Sequence, residues 1–268
     1  MKKAIKVAAT QYEVPETSEK MLGKIEKVLK SVKKGTDLVL LPEDCYPTLQ
    51  DARNDVDSYD NFASLAKKYN LYLSASSMKK DKKGDLREIG FIFDKKGKLI
   101  HEQGKMCIPP PQLELGVKPD NTFSTVNTEF GRLAMLICKD SFYRYTNDLF
   151  QTYRKAGVDV ILIPTWSYKV NQRSISLVRE GIIAECNWSD IYICLSGTVK
   201  NSITKQDGTV LKSFGHALIV CPLRGVLKEG SEAKEEILYQ TLEPKYLKEI
   251  REYDKIWQPE ERLEFKIK

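Results

Sequence analysis

The sequence predicts a layered α/β fold in which two packed β-sheets form the core and helices cover them. Continuous apolar runs, such as residues 38–41, alternate with segments of helical periodicity, such as residues 17–33. This alternation indicates strands buried on both faces and helices with one apolar side. Further strand-like segments follow one another late in the chain, which indicates hairpins added to the same sheets. Because two of the apolar helices need partners, a sheet-on-sheet core covered by helices fits the pattern.

The first half of the chain alternates strands and helices. Residues 5–9 predict a strand, and apolar residues recur every three or four positions over residues 17–33, with Thr17 or Ser18 as the N-cap and Gly35 after the end. Residues 106–122 are rich in proline and predict an irregular segment. The other elements predicted here are strands at residues 37–41, 71–75, 89–93 and 98–102 and a helix near residues 62–69.

The second half predicts two more strand–helix pairs and then a run of strands. Residues 132–137 and 158–163 predict strands, and residues 145–156 and 172–187 predict helices. We expect one domain over residues 1–268, whose end, from about residue 243 to 268, forms a polar packing arm. The run of strands comprises residues near 191–195, 209–212, 216–221, 225–229 and 235–241.

Composition and charge exclude several classes of protein. Of 268 residues, 41% are hydrophobic and 30% are charged, which is typical of a globular chain and not of a disordered one. The net charge of +6 is scattered rather than gathered on one basic face, so we expect no nucleic-acid partner. The longest apolar run, residues 133–138, is far shorter than the roughly 20 residues of a membrane span. With no signal-like segment, we expect a cytoplasmic protein whose six cysteines are reduced thiols.

Three predicted strands end in side chains that can carry chemistry together. Glu43, Lys105 and Cys138 follow the strands at residues 37–41, 98–102 and 132–137, and α/β folds bind ligands at the carboxyl ends of strands. A free cysteine is only a few per cent thiolate at neutral pH, so a carboxylate that takes the thiol proton activates it. An ammonium group stabilises the oxyanion that forms after attack. These residue types therefore predict a nucleophilic site that needs no histidine.

Each of the three residues also fits a purely structural role, and different kinds of site stay open at this point. Alone, Glu43 is typical of a helix cap or a surface ion pair, Lys105 of a solvated side chain, and Cys138 of a core residue. His101 or His216 pairing with a cysteine would be an alternative nucleophilic site, but each is more typical of a structural histidine. Metal ligands would have to come from distant segments, and no Gly-rich phosphate loop is present. We therefore expect neither a metal nor an organic cofactor.

The order and context of the three residues resemble the nitrilase, or carbon–nitrogen hydrolase, superfamily. Its Glu, Lys and Cys motifs are similar to residues 40–43 (LLPE), 104–109 (GKMCIP) and 131–140 (GRLAMLICKD). Residues 163–166 and 214–220 resemble the segments that follow, so the resemblance covers about residues 4–230. It implies a four-layer αββα sandwich that stacks as αββααββα on dimerisation. A homodimer or higher homo-oligomer is expected, with the C-terminal arm crossing to the partner.

The resemblance also implies a role for each site residue. Cys138 is similar to the nucleophile that forms a thioester, and Glu43 to the general base. Lys105 is similar to the oxyanion stabiliser, with the backbone N–H of Lys139 as a second donor. Glu114 lies near the position of a second glutamate that positions the lysine, and Trp166 is expected to contact the substrate.

The function implied is cysteine-dependent hydrolysis of a C–N bond in a small linear amide or N-carbamoyl compound, with release of ammonia. Nitrile hydrolysis by the same triad and a catalytically silent nitrilase-like binding scaffold stay open. Lys139 and Arg144 stand where the family more usually has aromatic and acidic residues. Arg144 is therefore a candidate to bind a substrate carboxylate. The alternative is a surface side chain that pairs with Asp148, four residues further along a helix.

Overall fold

Two β-sheets lie face to face between two layers of helices in the computed structural model, which describes residues 1–142, 146–205 and 207–257. The α-helices are α1 (Ser18–Ser31), α2 (Leu49–Arg53), α3 (Tyr59–Tyr69), α4 (Pro110–Glu114), α5 (Thr146–Lys155), α6 (Gln172–Ser189) and α7 (Pro244–Trp257). The strands are β1 (Ile5–Tyr12), β2 (Leu38–Leu40), β3 (Tyr72–Lys80), β4 (Leu86–Phe93), β5 (Leu99–Gly104), β6 (Val126–Asn127), β7 (Arg132–Met135), β8 (Val160–Ile163), β9 (Tyr168–Lys169), β10 (Tyr192–Leu195), β11 (Gly197–Thr204), β12 (Val210–Phe214), β13 (Leu218–Cys221), β14 (Gly225–Glu229) and β15 (Glu236–Leu242).

Parallel strands form the centre of each sheet. The first sheet has the order β5-β4-β3-β2-β1-β11-β12-β9, and β15 also pairs with β1. The second sheet has the order β14-β13-β10-β8-β7-β6. β1, β2 and β3 pair in parallel, as do β7, β8 and β10, so the carboxyl ends of neighbouring strands meet at one edge of each sheet.

Both faces of each sheet are buried, which explains the continuous apolar runs of the sequence. Leu38 and Leu40 of β2 point into the space between the sheets, whereas Val39 packs against α1 and α3. On the far side, Ile161 of β8 packs against α5 and α6. The four-layer α/β sandwich predicted from the resemblance is therefore confirmed for the chain.

Helix α1 begins as the sequence predicts and ends slightly earlier. The Thr17 side chain accepts a hydrogen bond from the Lys20 backbone N–H at 3.4 Å, which makes Thr17 the N-cap. The buried stripe of α1 consists of Met21, Ile25, Val28 and Leu29, at the predicted spacing. The backbone is already extended at Val32, so the helix stops before residue 33.

The C-terminal arm begins as a helix, α7, that packs on its own chain. Five residues, which we call the anchor cluster, fix it: Arg154, Asp159, Asp190, Arg251 and Asp254. Arg251 donates to Asp159 at 3.0 Å, and Arg154 lies 2.7 Å from Asp190 and 3.0 Å from Asp254. Residues 258–268 of the arm lie outside the described residues.

None of the helices in the described part of the chain is both long enough and apolar enough to cross a membrane.

Candidate active site

The structure brings Glu43, Lys105 and Cys138 together where strands of both sheets end. Glu43 lies three residues beyond β2, Lys105 directly follows β5, and Cys138 lies three residues beyond β7. All three side chains are buried, and the Lys105 ammonium donates to Glu43 Oε1 at 2.5 Å. Residues that lie 95 positions apart in the chain thus share one buried site.

Two neighbours hold the Glu43 carboxylate in place. Lys105 occupies one oxygen, and the backbone N–H of Trp166 donates to the other, Oε2, at 2.6 Å. Burial, and next the negative charge of Glu88, raise the pKa of Glu43 to about 8, against the opposing effect of Lys105. The carboxylate is therefore both oriented and ready to hold a proton near neutral pH.

The Lys105 ammonium group donates hydrogen bonds to three acceptors. Its Nζ donates to Glu43, to Glu88 Oε2 at 2.7 Å and to Gln112 Oε1 at 3.1 Å. Burial acts to lower the pKa of Lys105, but the two carboxylates outweigh it and hold that pKa well above the ordinary value. Lys105 therefore keeps its positive charge although it is buried.

Cys138 adopts a left-handed backbone conformation that is uncommon for a non-glycine residue. It begins a short 3₁₀ turn, Cys138–Ser141, with φ of +45°, and its backbone N–H donates to Pro164 O at 2.9 Å. Non-glycine residues with positive φ cluster at functional sites because strain there must be compensated by surrounding contacts. Burial, and next the charge of Glu43, raise the pKa of the Cys138 thiol well above its ordinary value. The resting group is a thiol, so its proton must leave during attack.

Asp140 ties the Lys105 segment to the Cys138 turn. This buried carboxylate accepts from the backbone N–H groups of Cys107 at 2.6 Å, Met106 at 3.1 Å and Ile137 at 3.2 Å. Burial raises its pKa to about 6 in spite of these bonds. One side chain thus fixes the distance between two of the three predicted site residues.

Comparison with known proteins identifies the family of the chain. The sequence matches the carbon–nitrogen hydrolase family over residues 6–252. The chain belongs to this family. A mouse omega-amidase, NIT2, is 24% identical over 243 residues, which cover 84% of this chain and 83% of the relative.

Solved structures of the nitrilase superfamily share the fold. A carbon–nitrogen hydrolase from Helicobacter pylori G27 has a TM-score of 0.82 at 20% identity and covers 96% of this chain and 94% of its own. An amidase from a Nesterenkonia species has a TM-score of 0.77 at 17% identity, covering 96% of this chain and 97% of its own. At such identities the likeness establishes the fold and leaves the substrate open.

The glutamate beside Lys105, apart from Glu43, is Glu88 and not Glu114 as the sequence predicts. Glu88 lies buried in β4, and its carboxylate accepts from Lys105 and from Ser76 Oγ at 3.2 Å. Glu114 is exposed at the end of α4. Successive helical residues are rotated by about 100°, so when Gln112 faces Lys105, Glu114 points to nearly the opposite side.

Sequence reasoning missed Glu88, Gln112 and Asp44. The predicted strand begins at residue 89, one residue after Glu88, whereas β4 begins at Leu86. In β4, positions 86, 88 and 90 are all buried, and a charged residue on the buried face of a strand was the available signal. Gln112 lay in a segment that was predicted to be irregular, so nothing marked it.

A cavity of about 550 Å³ opens above the buried charges. Trp166 lines it, and its contact with a substrate stays a prediction; Lys139 lines it beside Cys138. The Lys139 side chain reaches Ile108 O at 3.4 Å. Arg144, the predicted carboxylate ligand, lies outside the described residues.

Three carboxylates lie close enough together to suggest a cation site. Oxygens of Glu43, Asp44 and Glu88 all lie within 4.8 Å of one another. Two of these carboxylates already bind the Lys105 ammonium, at 2.5 and 2.7 Å. The cation between Glu43 and Glu88 is thus Lys105 of the same chain. This arrangement suits stabilisation of charge more than binding of a metal ion.

Proposed function

We propose that this protein hydrolyses the C–N bond of a small linear amide through a thioester on Cys138. The observation that carries the proposal is a buried thiol in one cavity with a carboxylate and an ammonium that are hydrogen-bonded to each other. The names of the relatives support an amide as the substrate, since one is an omega-amidase and another an amidase. N-carbamoyl compounds contain the same kind of bond and are included in the test.

In the proposed acylation step, Glu43 accepts the thiol proton while the Cys138 sulfur bonds to the substrate carbonyl carbon. The carbonyl oxygen becomes an oxyanion, which the Lys105 ammonium and the Lys139 backbone N–H stabilise. Protonation of Glu43 weakens its hydrogen bond to Lys105, so the ammonium can turn one N–H to the oxyanion. Collapse breaks the C–N bond, and the nitrogen takes the proton from Glu43 and leaves as ammonia.

The second step repeats these roles with water as the nucleophile and the Cys138 sulfur as the leaving group. Water gives a proton to Glu43 and adds to the thioester carbonyl carbon, again with the oxyanion beside Lys105. Collapse breaks the C–S bond and releases the carboxylic acid, while the departing sulfur recovers its proton from Glu43. The residues of the chain supply the nucleophile, the proton transfer and the charge stabilisation.

Ammonia release from a panel of amides, N-carbamoyl amines and nitriles tests the proposal. We expect release from amides, its loss in Cys138→Ala, and its retention in the matched control Cys107→Ala, whose thiol is half-buried outside the cavity lining. Release from nitriles alone would favour nitrile hydrolysis by the same residues. No release from any compound would favour the silent scaffold.

The homodimer stays a prediction. A cytoplasmic location also stays a prediction.

A further inference from the structure

The cavity has two chemically different parts. Its floor carries the reacting groups Glu43, Lys105 and Cys138. Its wall is apolar and comes from separate elements: Pro109, Pro111, Leu115, Leu177, Ile203 and Phe214. A substrate that reaches the thiol can therefore cover apolar surface on its way.

Part of this wall is exposed to solvent, which is unfavourable in free energy for apolar side chains. Leu115 after α4 is 44% exposed, Leu177 of α6 is 45% exposed and Ile203 of β11 is 42% exposed. Single exposed apolar side chains are ordinary, but these three line one cavity that leads to a reactive thiol. A ligand that covers them gains free energy in proportion to the apolar area removed from water.

Charges in the described lining do not favour an anionic chain. Beside the lysine and glutamate of the floor, the charged lining residues of the described chain are Asp44 and Lys139. Positive and negative groups therefore balance, and Glu88 adds a further carboxylate behind the floor. A carboxylate against the described apolar residues of the wall would lose its water without gaining a partner among them.

We infer that the preferred substrates carry an uncharged aliphatic or arylaliphatic acyl chain, longer than the acetyl group, that lies along Leu115, Leu177 and Ile203. This inference rests on the proposed amide hydrolysis and names its substrate class. It departs from the expectation of a carboxylate-bearing substrate. The wall acts as the specificity determinant, because each methylene group that it covers strengthens binding in the transition state.

A chain-length series measures the effect of the wall. We expect kcat/KM for acetamide, butyramide and hexanamide to rise by at least about tenfold across the series, since each buried methylene contributes up to about fourfold. The monoamide of adipic acid has the same chain with a terminal carboxylate. We expect its kcat/KM to be at least about tenfold below that of hexanamide.

Two alanine variants on one hairpin localise the effect. Ile203→Ala should lower kcat/KM for hexanamide about three- to tenfold, and more than it lowers that for acetamide. Val210→Ala is the matched control: Val210 is 54% exposed on the neighbouring strand and lies outside the cavity lining. We expect its kcat/KM values to stay within about twofold of those of the unmutated protein.

The outcomes separate this inference from the proposed function. A preference for the adipic acid monoamide, or equal rates along the amide series, would overturn the inference while ammonia release still supported amide hydrolysis. Equal losses in Ile203→Ala and Val210→Ala would overturn the assignment of the wall. Absence of ammonia from every amide, together with no acylation of Cys138, would overturn the proposed function itself.

Discussion

Two clusters of buried charge lie at opposite ends of the second sheet and differ in what surrounds them. The first, which we call the Lys105 cluster, contains Glu43, Glu88 and Lys105 and lies beside Cys138, beyond the carboxyl end of β7. The anchor cluster lies at the other end, where Asp159 directly precedes β8 and Asp190 comes shortly before β10. Glu43 and Lys105 of the first cluster line the 550 Å³ cavity together with Cys138, whereas no residue of the anchor cluster is among the described residues that line it.

Both clusters contain carboxyl groups whose pKa is raised. Burial, and next Asp254, raise the pKa of Asp190 to about 6, while burial and Glu88 raise that of Glu43 to about 8. A perturbed pKa therefore does not locate a reaction site by itself. The cavity that it shares with Cys138 distinguishes the Lys105 cluster, whereas the anchor cluster joins α7 to the rest of the chain.

The largest effect of a change in either cluster is expected for Glu43→Gln. Glutamine keeps the shape but cannot accept a proton, and loss of a general base costs about 10²–10⁴ in rate. We expect kcat to fall in that range, measured by ammonia release. Glu114→Gln is the matched control, because Glu114 is exposed. Activity of Glu43→Gln equal to that of this control would remove Glu43 from the reaction.

Lys105→Ala removes the ammonium that is proposed to face the oxyanion. We expect kcat to fall about 10²–10³-fold, and Lys105→Arg not to restore it, because a broad planar guanidinium does not replace a compact ammonium held by three acceptors. Lys118→Ala, which removes an exposed lysine paired with Asp85, is the control. Recovery of activity in Lys105→Arg would contradict a role that depends on the shape of the ammonium.

Glu88→Gln should have a smaller effect on rate and a distinct effect on the pH profile. We expect kcat/KM at its plateau to fall about tenfold, since a charged hydrogen bond to Lys105 is lost. The charge of Glu88 raises the pKa of Glu43, so its removal lowers that pKa. Glu43 must be unprotonated to act as the base. A lower pKa of Glu43 should therefore shift the acidic limb of kcat/KM against pH to lower pH. A loss of rate without this shift would indicate a purely structural role.

Arg154→Ala, in the anchor cluster, should affect stability and leave catalysis unchanged. It leaves the buried carboxylates of Asp190 and Asp254 without their guanidinium partner. We expect the free energy of unfolding in urea to fall by about 1–3 kcal/mol, against less than about 0.5 kcal/mol for Lys155→Ala, an exposed neighbour on α5. A fall in kcat/KM of the folded variant would contradict the separation of the two clusters.

The sequence was most informative where a buried strand meets a reactive side chain. The apolar runs before Glu43 and Cys138 predicted both strands, because strands buried on two faces read as continuous hydrophobic segments. β11 was missed since its second half, residues 200–204, is polar and largely exposed, so it shows neither an apolar run nor alternation. The C-terminal arm was predicted only as polar packing, although its first part forms α7.

The contact between Glu88 and Lys105 depends on a detail that the sequence does not reveal. The register of β4 with β5 shifts between Ile92 and Phe93, at an irregularity of the β-bulge type. The Lys105 backbone N–H consequently donates to Glu88 O at 2.9 Å. Without the extra residue, Gly104 would stand opposite Glu88, because a one-residue slip changes which side chains face each other.

The most direct test of the proposed mechanism is to find the acyl group on the protein. A p-nitrophenyl ester of an accepted acid should acylate the nucleophile faster than water removes the acyl group, so acid quenching followed by peptide mass mapping reveals the site. We predict one acyl group, on Cys138, that hydroxylamine removes and that Cys138→Ala lacks. An acyl group on another residue, or amide turnover by Cys138→Ala, would contradict the mechanism.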